Sequence, residues 1–296
     1  MMEFQSDAIL APYTSWLVGG TADFLALPTE VEDLRKALQW SKEKNLPVTI
    51  LGGGSNVLIS DKGIRGLTIC LKKFSGSTIS EEKGTLRIKA LAGTSKSELL
   101  KIFLKYKLNP ALFLAGIPGD IAGGVVMNAG VAEAFNPREF VEIVEWVDVL
   151  KPNDQIQRYN NSDIQWSYRH SAGWEPGIIT EVGFRWPLKP DPTILDKVKE
   201  ANRTRLSKQP LDMPSCGSVF VNPKGHKAAQ LIDGCGLKGY TLGGAQVSAK
   251  HANFIVNTGN ANATDIWKVI THVQATVLKE KSVELKTEVV RLGEWS

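Results

Sequence analysis

Cysteine is scarce in this chain: three residues (Cys70, Cys216, Cys235) among 296, widely spaced and outside any CxxC pattern. That excludes a disulfide framework and a zinc ribbon and suits a reducing compartment. The four histidines (His170, His226, His251, His272) never approach an HxxxH spacing, so no metal centre is expected. No apolar run comes near the roughly 18 residues of a membrane span, and the opening MMEFQSDAILAPYTSW has no basic region leading into an apolar one. The expectation is a cytoplasmic protein with no membrane partner. A dominant charge is missing too: 35 Lys and Arg stand against 31 Asp and Glu without a basic stripe, so nucleic acid is not an expected partner. The net +4 still favours small anionic ligands. With 43% hydrophobic and 22% charged residues, a collagen-like rod, a coiled coil and a disordered tail are all excluded.

Glycine is what the chain has in quantity, 27 residues gathered at 52–54, 116–130 and 234–244. Around them the pattern predicts a helix capped by Thr29 with Glu32 in a capping box, and Val31, Leu34 and Leu38 on its buried face. A strand follows at 47–51. A second capped helix starts near Ser95, with Glu98 at the box position and Leu99, Ile102, Phe103 and Tyr106 as its stripe. Strands are expected at 85–91 and 140–150. Pro187, Pro190 and Pro192 then mark a boundary. Beyond it come a helix at 193–208, a strand at 253–257 and a long helix at 264–281. The final alternation puts Val283, Leu285, Thr287 and Val289 on one face.

The glycines of 52–54 directly follow a strand, where freed backbone N–H groups can cup an anion. A GxGxxG dinucleotide fingerprint fails, because Val57 stands at its last position and the chain continues extended. Within 114–130, Gly119 and Gly124 have the outer spacing of a P-loop, but Val125 and Val126 replace the Lys and Ser/Thr that hold phosphate and magnesium. What remains is a small-residue surface (Ala115, Gly116, Gly119, Ala122, Gly123, Gly124, Ala129, Gly130) over which a flat ligand can lie.

Several segments in order, TSWLVGG at 14–20, GGGSN at 52–56, AGIPG and MNAG within 115–130, YRHS at 168–171, PSCGSVF at 214–220, GLKG at 236–239 and VSAKHANFIVN at 247–257, resemble the UDP-N-acetylenolpyruvoylglucosamine reductase (MurB) family. The resemblance spans nearly the whole chain. It implies an α+β fold: an FAD-binding domain of the vanillyl-alcohol-oxidase (PCMH) type at 1–190, in subdomains of about 1–70 and 71–190, and a substrate-binding domain at 191–296. It implies FAD and NADPH as cofactors and reduction of the enolpyruvyl ether on a UDP-sugar, with no obligatory protein partner. The alternatives are another flavin oxidase of that superfamily, or a sugar-nucleotide-binding module without redox chemistry.

Carried onto matching positions, the resemblance makes Ser218 the proton donor, Arg169 the cation that stabilises a developing enolate, and Glu288 the residue assisting protonation. It gives FAD to Leu51, Gly52, Gly53, Gly54, Ser55 and Asn56, and to Ala115, Gly116, Ile117, Pro118, Gly119, Gly123, Gly124, Asn128, Ala129 and Gly130. Substrate falls to Tyr168, Asn222, Lys238, His251 and Asn253. Cys216, two residues before Ser218, has no adjacent base and reads as a pocket-lining thiol. The chain departs from the family pattern at Val221, Thr241 and Val290, where cations are common. Arg291 points to the opposite strand face from Val290, which leaves Lys227, Lys238, Lys250 or Arg205 to anchor the substrate's anionic groups. No tyrosine-bearing insertion is visible, which places the chain in the family's shorter subclass.

Overall fold

The computed structural model describes residues 3–132 and 134–295. The chain divides into two compact units. The first holds residues 1–4, 26–53 and 69–204, and the second holds 5–25, 54–68 and 205–296. A single boundary near 190, the expectation from the prolines, is therefore replaced by several crossings. The physical reason is core membership: Trp16, Val18 and Leu58 are buried in the same apolar cluster as Phe220, Ile255, Ile270 and Leu285.

The first unit is built on a five-stranded antiparallel sheet in the order Ser77–Glu82, Thr85–Leu91, Ile178–Pro187, Val144–Leu150, Ile156–Asn160. The strand Thr85–Leu91 begins and ends as its alternation predicts. The stretch expected as a strand from 140 opens instead with a 3-10 turn, Phe140–Glu142, so pairing starts at Val144. Helix Lys96–Lys105 starts where Ser95 caps it, the hydroxyl accepting from Glu98 N–H at 3.2 Å. Glu98 does not complete the box, because its carboxylate accepts from Ser77 at 2.6 Å. Helix Val31–Glu43 starts one residue later than an N-cap at Thr29 predicts: Thr29 bonds Asp33, not Glu32, and Glu30 is the N-cap.

The second unit centres on helix Ala263–Lys281, whose buried face of Ile266, Val269, Ile270, Val273 and Val277 is the predicted one. Asn262 and Asp265 form a capping box at its start. A three-stranded antiparallel sheet, Thr241–Leu242, Ala245–Val247 and Ile255–Asn257, completes this core. Strand Val290–Leu292 runs parallel to Val57–Ile59. The final alternation is buried as expected at Leu285 and Val289, but only 290–292 has regular pairing, with one isolated bridge between Thr287 and Phe220.

Candidate active site

In the second unit, two candidate residues 70 positions apart in sequence lie on adjoining segments. Glu288 N–H donates to Val219 O at 2.8 Å, and Phe220 bridges Thr287, which sets Ser218 and Glu288 on neighbouring backbone. Gly217 gives the bend before Ser218, with φ of 82° in the region that favours glycine. Val219 and Phe220 anchor the far side in the core, and Ser218 itself is half-buried. Asn56 ties a third segment to the pair, its Nδ2 donating to Glu288 O at 2.9 Å.

Cys216 is fully buried beside this group. Burial, and then the Glu288 carboxylate, push its thiol well above the usual range. It is a buried, neutral thiol.

Asn253 does not present its amide to a ligand. Oδ1 accepts from Phe220 N–H and Nδ2 donates to Phe220 O, both at 2.9 Å, and the residue is buried. These bonds brace the segment that carries Ser218. Asn222 likewise uses Oδ1 to accept from Ala228 N–H at 2.9 Å. Lys238 pairs with Asp233 at 2.8 Å. His251 Nδ1 accepts from Asn253 N–H at 3.3 Å, which puts the ring proton on Nε2. Burial, and then the charge of Lys238, lower its pKa, so the ring is neutral at pH 7. Thr241, one of the cation-poor positions, bonds locally to Gly239 and Gln246. Arg291 lies over Trp267, with 4.1 Å to the ring centroid, and Trp295 is on hand at 5.3 Å.

In the first unit, Arg169 sits in the tight hairpin between Gln165–Ser167 and His170–Ala172. Its φ of 55° is unusual for a side chain branching into a long guanidinium, and such geometry persists only where the surroundings enforce it. They do so here. The guanidinium donates to Gly130 O at 2.9 Å, lies 3.7 Å from Glu139 and covers the Tyr168 ring at 4.6 Å. Asn128 locks the same hairpin, donating to Ser167 O at 3.1 Å and accepting from Val141 N–H at 3.0 Å. Asn128 and Gly130, expected only at the flavin, thus also hold Arg169 in place.

The glycine segments meet at Asp120. This buried carboxylate accepts from Gly123 N–H at 2.6 Å through Oδ1 and from Gly53 N–H through Oδ2. A Cβ on Gly52 would fall 2.4 Å from Oδ2, and one on Gly53 would fall 3.1 Å from Gly119 Cα. Not every small residue leaves open surface, however. A Cβ on Gly124 would strike the Phe140 ring at 2.3 Å, so packing alone already requires a small residue there.

Lys96 is the residue that sequence reading missed. It is fully buried, and its Nζ donates to Pro118 O at 2.8 Å. Burial lowers its pKa to about 8 against the opposing pull of Asp120. The signal was present: Lys96 shares an i, i+3, i+7 row with Leu99 and Phe103. Asp120 was marked too, as the single charged residue within 114–132.

Two backbone amides thus share the Asp120 carboxylate, donors of the kind that can also cup a phosphate. An FAD diphosphate fits that donor set. Residues 22–160 match the family described as FAD binding domain, and residues 209–292 match the UDP-N-acetylenolpyruvoylglucosamine reductase C-terminal domain. Over 295 residues the chain is 41% identical to the UDP-N-acetylenolpyruvoylglucosamine reductase of Synechococcus sp. (strain WH7803), covering 98% of this chain and 93% of that one. The chain belongs to this reductase family. The Pediococcus pentosaceus reductase is 41% identical over 286 residues, covering 96% of this chain and 93% of its own. The crystal structure of the Thermus caldophilus reductase superposes with a TM-score of 0.81 at 31% identity, covering 99% of this chain and 100% of that one. The reductase's cofactor is FAD, held by the domain that the first match delimits.

Proposed function

We propose that this chain uses NADPH to reduce the enolpyruvyl ether of UDP-N-acetylenolpyruvoylglucosamine to UDP-N-acetylmuramate, a step in making peptidoglycan precursors. Ser218 donates the proton, Glu288 assists it and Arg169 supplies the cation. The family membership supports the reaction. The observation that supports the assignment of roles is the Glu288 N–H to Val219 O bond, which holds the backbone of Glu288 beside the segment that carries Ser218.

Held by the backbone of the glycine segments at 52–56 and 115–130, FAD would supply hydride-transfer chemistry, with NADPH as the source of the hydride. The rest is electrostatics and proton transfer by the chain. Hydride arrival leaves negative charge on the carbon beside the substrate carboxylate, and this charge must be delocalised and then protonated. Arg169 provides a fixed positive charge, held by Gly130 and Glu139 so that it need not reorganise during reaction. Ser218 Oγ–H gives its proton to the carbanionic carbon, an acceptor basic enough to take it. Glu288, or a water on it, returns a proton to Oγ. The neutral His251, Tyr168 and Asn222 serve the substrate, and its anionic groups fall to Lys227, Lys238, Lys250 or Arg205.

No described helix is long and apolar enough to cross a membrane. A cytoplasmic reaction is the reading that nicotinamide and nucleotide-sugar substrates support. The decisive experiment is an anaerobic titration: NADPH bleaches the bound flavin, and the enolpyruvyl substrate restores its colour without oxygen. Colour restored by oxygen alone would identify an oxidase, and a colourless protein that releases no flavin on denaturation would remove the redox reading.

A further inference from the structure

Asp120 holds the very amide that the flavin reading gives to a diphosphate. Its two oxygens are divided between two segments, Gly123 N–H on one and Gly53 N–H on the other. The residue is 3% exposed, so no water shell compensates its charge. Three titratable groups act around it. Lys96 is the cation facing it from helix Lys96–Lys105. Cys70 is a thiol that burial keeps neutral. Arg169 acts on Lys96 from the hairpin. The segments carrying Gly53 and Gly123 bring only backbone donors.

One amide hydrogen cannot serve a carboxylate and a phosphate oxygen together at full strength, and two anions at one cradle repel. We propose that Asp120 is a resident anion of the glycine cradle, and that FAD binding displaces it from the Gly53 amide while its carboxyl group takes up one proton from solvent. The inference rests on the flavin reading and adds a coupling to it. Burial raises the pKa of Asp120, and its two backbone donors and Lys96 act against that rise in favour of the carboxylate. When the diphosphate takes the Gly53 donor and adds negative charge, those influences shrink or reverse, burial remains, and the neutral acid becomes the stable form. Protonated Asp120 is then a donor instead of a competing acceptor.

The test measures FAD affinity for the apoprotein by flavin fluorescence quenching from pH 5.5 to 7.0, with calorimetry in two buffers of different ionisation enthalpy to count protons. In the apoprotein Lys96, with a pKa of about 8, is largely charged across that range. Wild type should bind FAD more weakly as pH rises, approaching about tenfold per unit, with close to one proton taken up at pH 7. Asp120→Ser keeps an oxygen for Gly123 N–H and releases Gly53. It should bind FAD at least about tenfold more tightly at pH 7, with affinity flat within about twofold and no proton uptake. Asp120→Asn should flatten the profile likewise, and thermal melts of both apoproteins verify folding. A pH-independent wild-type affinity, or a folded Asp120→Ser that binds FAD more weakly throughout, overturns the proposal and leaves Asp120 as a strut. A wild type that takes up no FAD at any pH overturns the flavin reading as well.

Discussion

The side-chain amide of Asn56 donates to the main-chain carbonyl of Glu288 at 2.9 Å, across 232 positions of sequence. Val290 N–H returns a bond to Asn56 O at 3.0 Å, so the end of the glycine segment and the last acidic candidate are pinned together twice. A residue expected to serve flavin therefore also fixes the backbone of a residue expected to serve proton transfer. Asn56→Ala should cost about 1 kcal/mol of stability, typical of one lost hydrogen bond, in urea unfolding. It should also slow substrate-driven flavin reoxidation more than it lowers flavin content. Flavin loss with normal reoxidation in the remaining holoenzyme would limit Asn56 to the cofactor.

Ser218→Ala removes a proton and little volume. Flavin binding and the NADPH half-reaction should survive, while the substrate half-reaction falls by at least about 10²-fold, roughly 2.7 kcal/mol of barrier. Ser218→Cys should recover part of that loss, because a thiol is the stronger acid in a similar shape. Stopped-flow traces of each half-reaction decide the matter: wild-type rates in both for Ser218→Ala would pass the proton role to Glu288.

Gly53→Ala puts a methyl group 3.1 Å from Gly119 Cα and 3.3 Å from Asp120 N, tighter than backbone neighbours tolerate without moving. The two segments must part by a few tenths of an ångström, which disturbs the cradle but not the sheet. We expect flavin affinity to drop about tenfold, a change of about 1.4 kcal/mol, with a melting temperature close to wild type. Equal flavin occupancy after gel filtration of the variant would disprove the cradle assignment.

Lys96 makes stability depend on alkaline pH. Its folded pKa of about 8 lies below its ordinary 10.5, so between these values the unfolded chain holds a proton that the folded chain has released. The unfolding free energy of the apoprotein therefore rises with pH through this window, by no more than about 3 kcal/mol, and the gain is lost as pH falls through 8. Lys96→Met should remove this slope, as read from denaturant midpoints at pH 8 and 10. Parallel slopes in variant and wild type would show that Lys96 is hydrated and titrates normally.

Legibility in the sequence followed the range of the interaction. The strand Thr85–Leu91 and the faces of helices Lys96–Lys105 and Ala263–Lys281 depend on periodicity within a few turns, and they could be read directly. Choosing between Glu32 and Asp33 as the partner of Thr29 is a matter of one residue of helix phase, which propensity does not resolve. The motif residues Ser218, Arg169 and Glu288 were named by pattern, but what holds them was not: Gly130, Asn253 and Val219 act through contacts that no local spacing encodes. Asp120 and Lys96 show the hardest case, because a charged residue is ordinarily expected in water. Their burial becomes visible only when the segments at 53, 96 and 120 are assembled.

Trp16 has a consequence for how this chain can be made and inherited. Its indole N–H donates to Ile255 O at 2.7 Å with 239 positions between them, and Asn257 Nδ2 reaches back to Trp16 O at 2.9 Å. A ribosome completes Trp16 long before its partners exist, so the second unit cannot close until Ile255 and Asn257 have been made, a high-contact-order topology that favours slow folding. A gene fragment beginning at 191 or 205 would encode a core with an indole-sized hole and an unbonded carbonyl. Recombination that joins such a fragment to a foreign N-terminal half would have to bring a matching tryptophan with it.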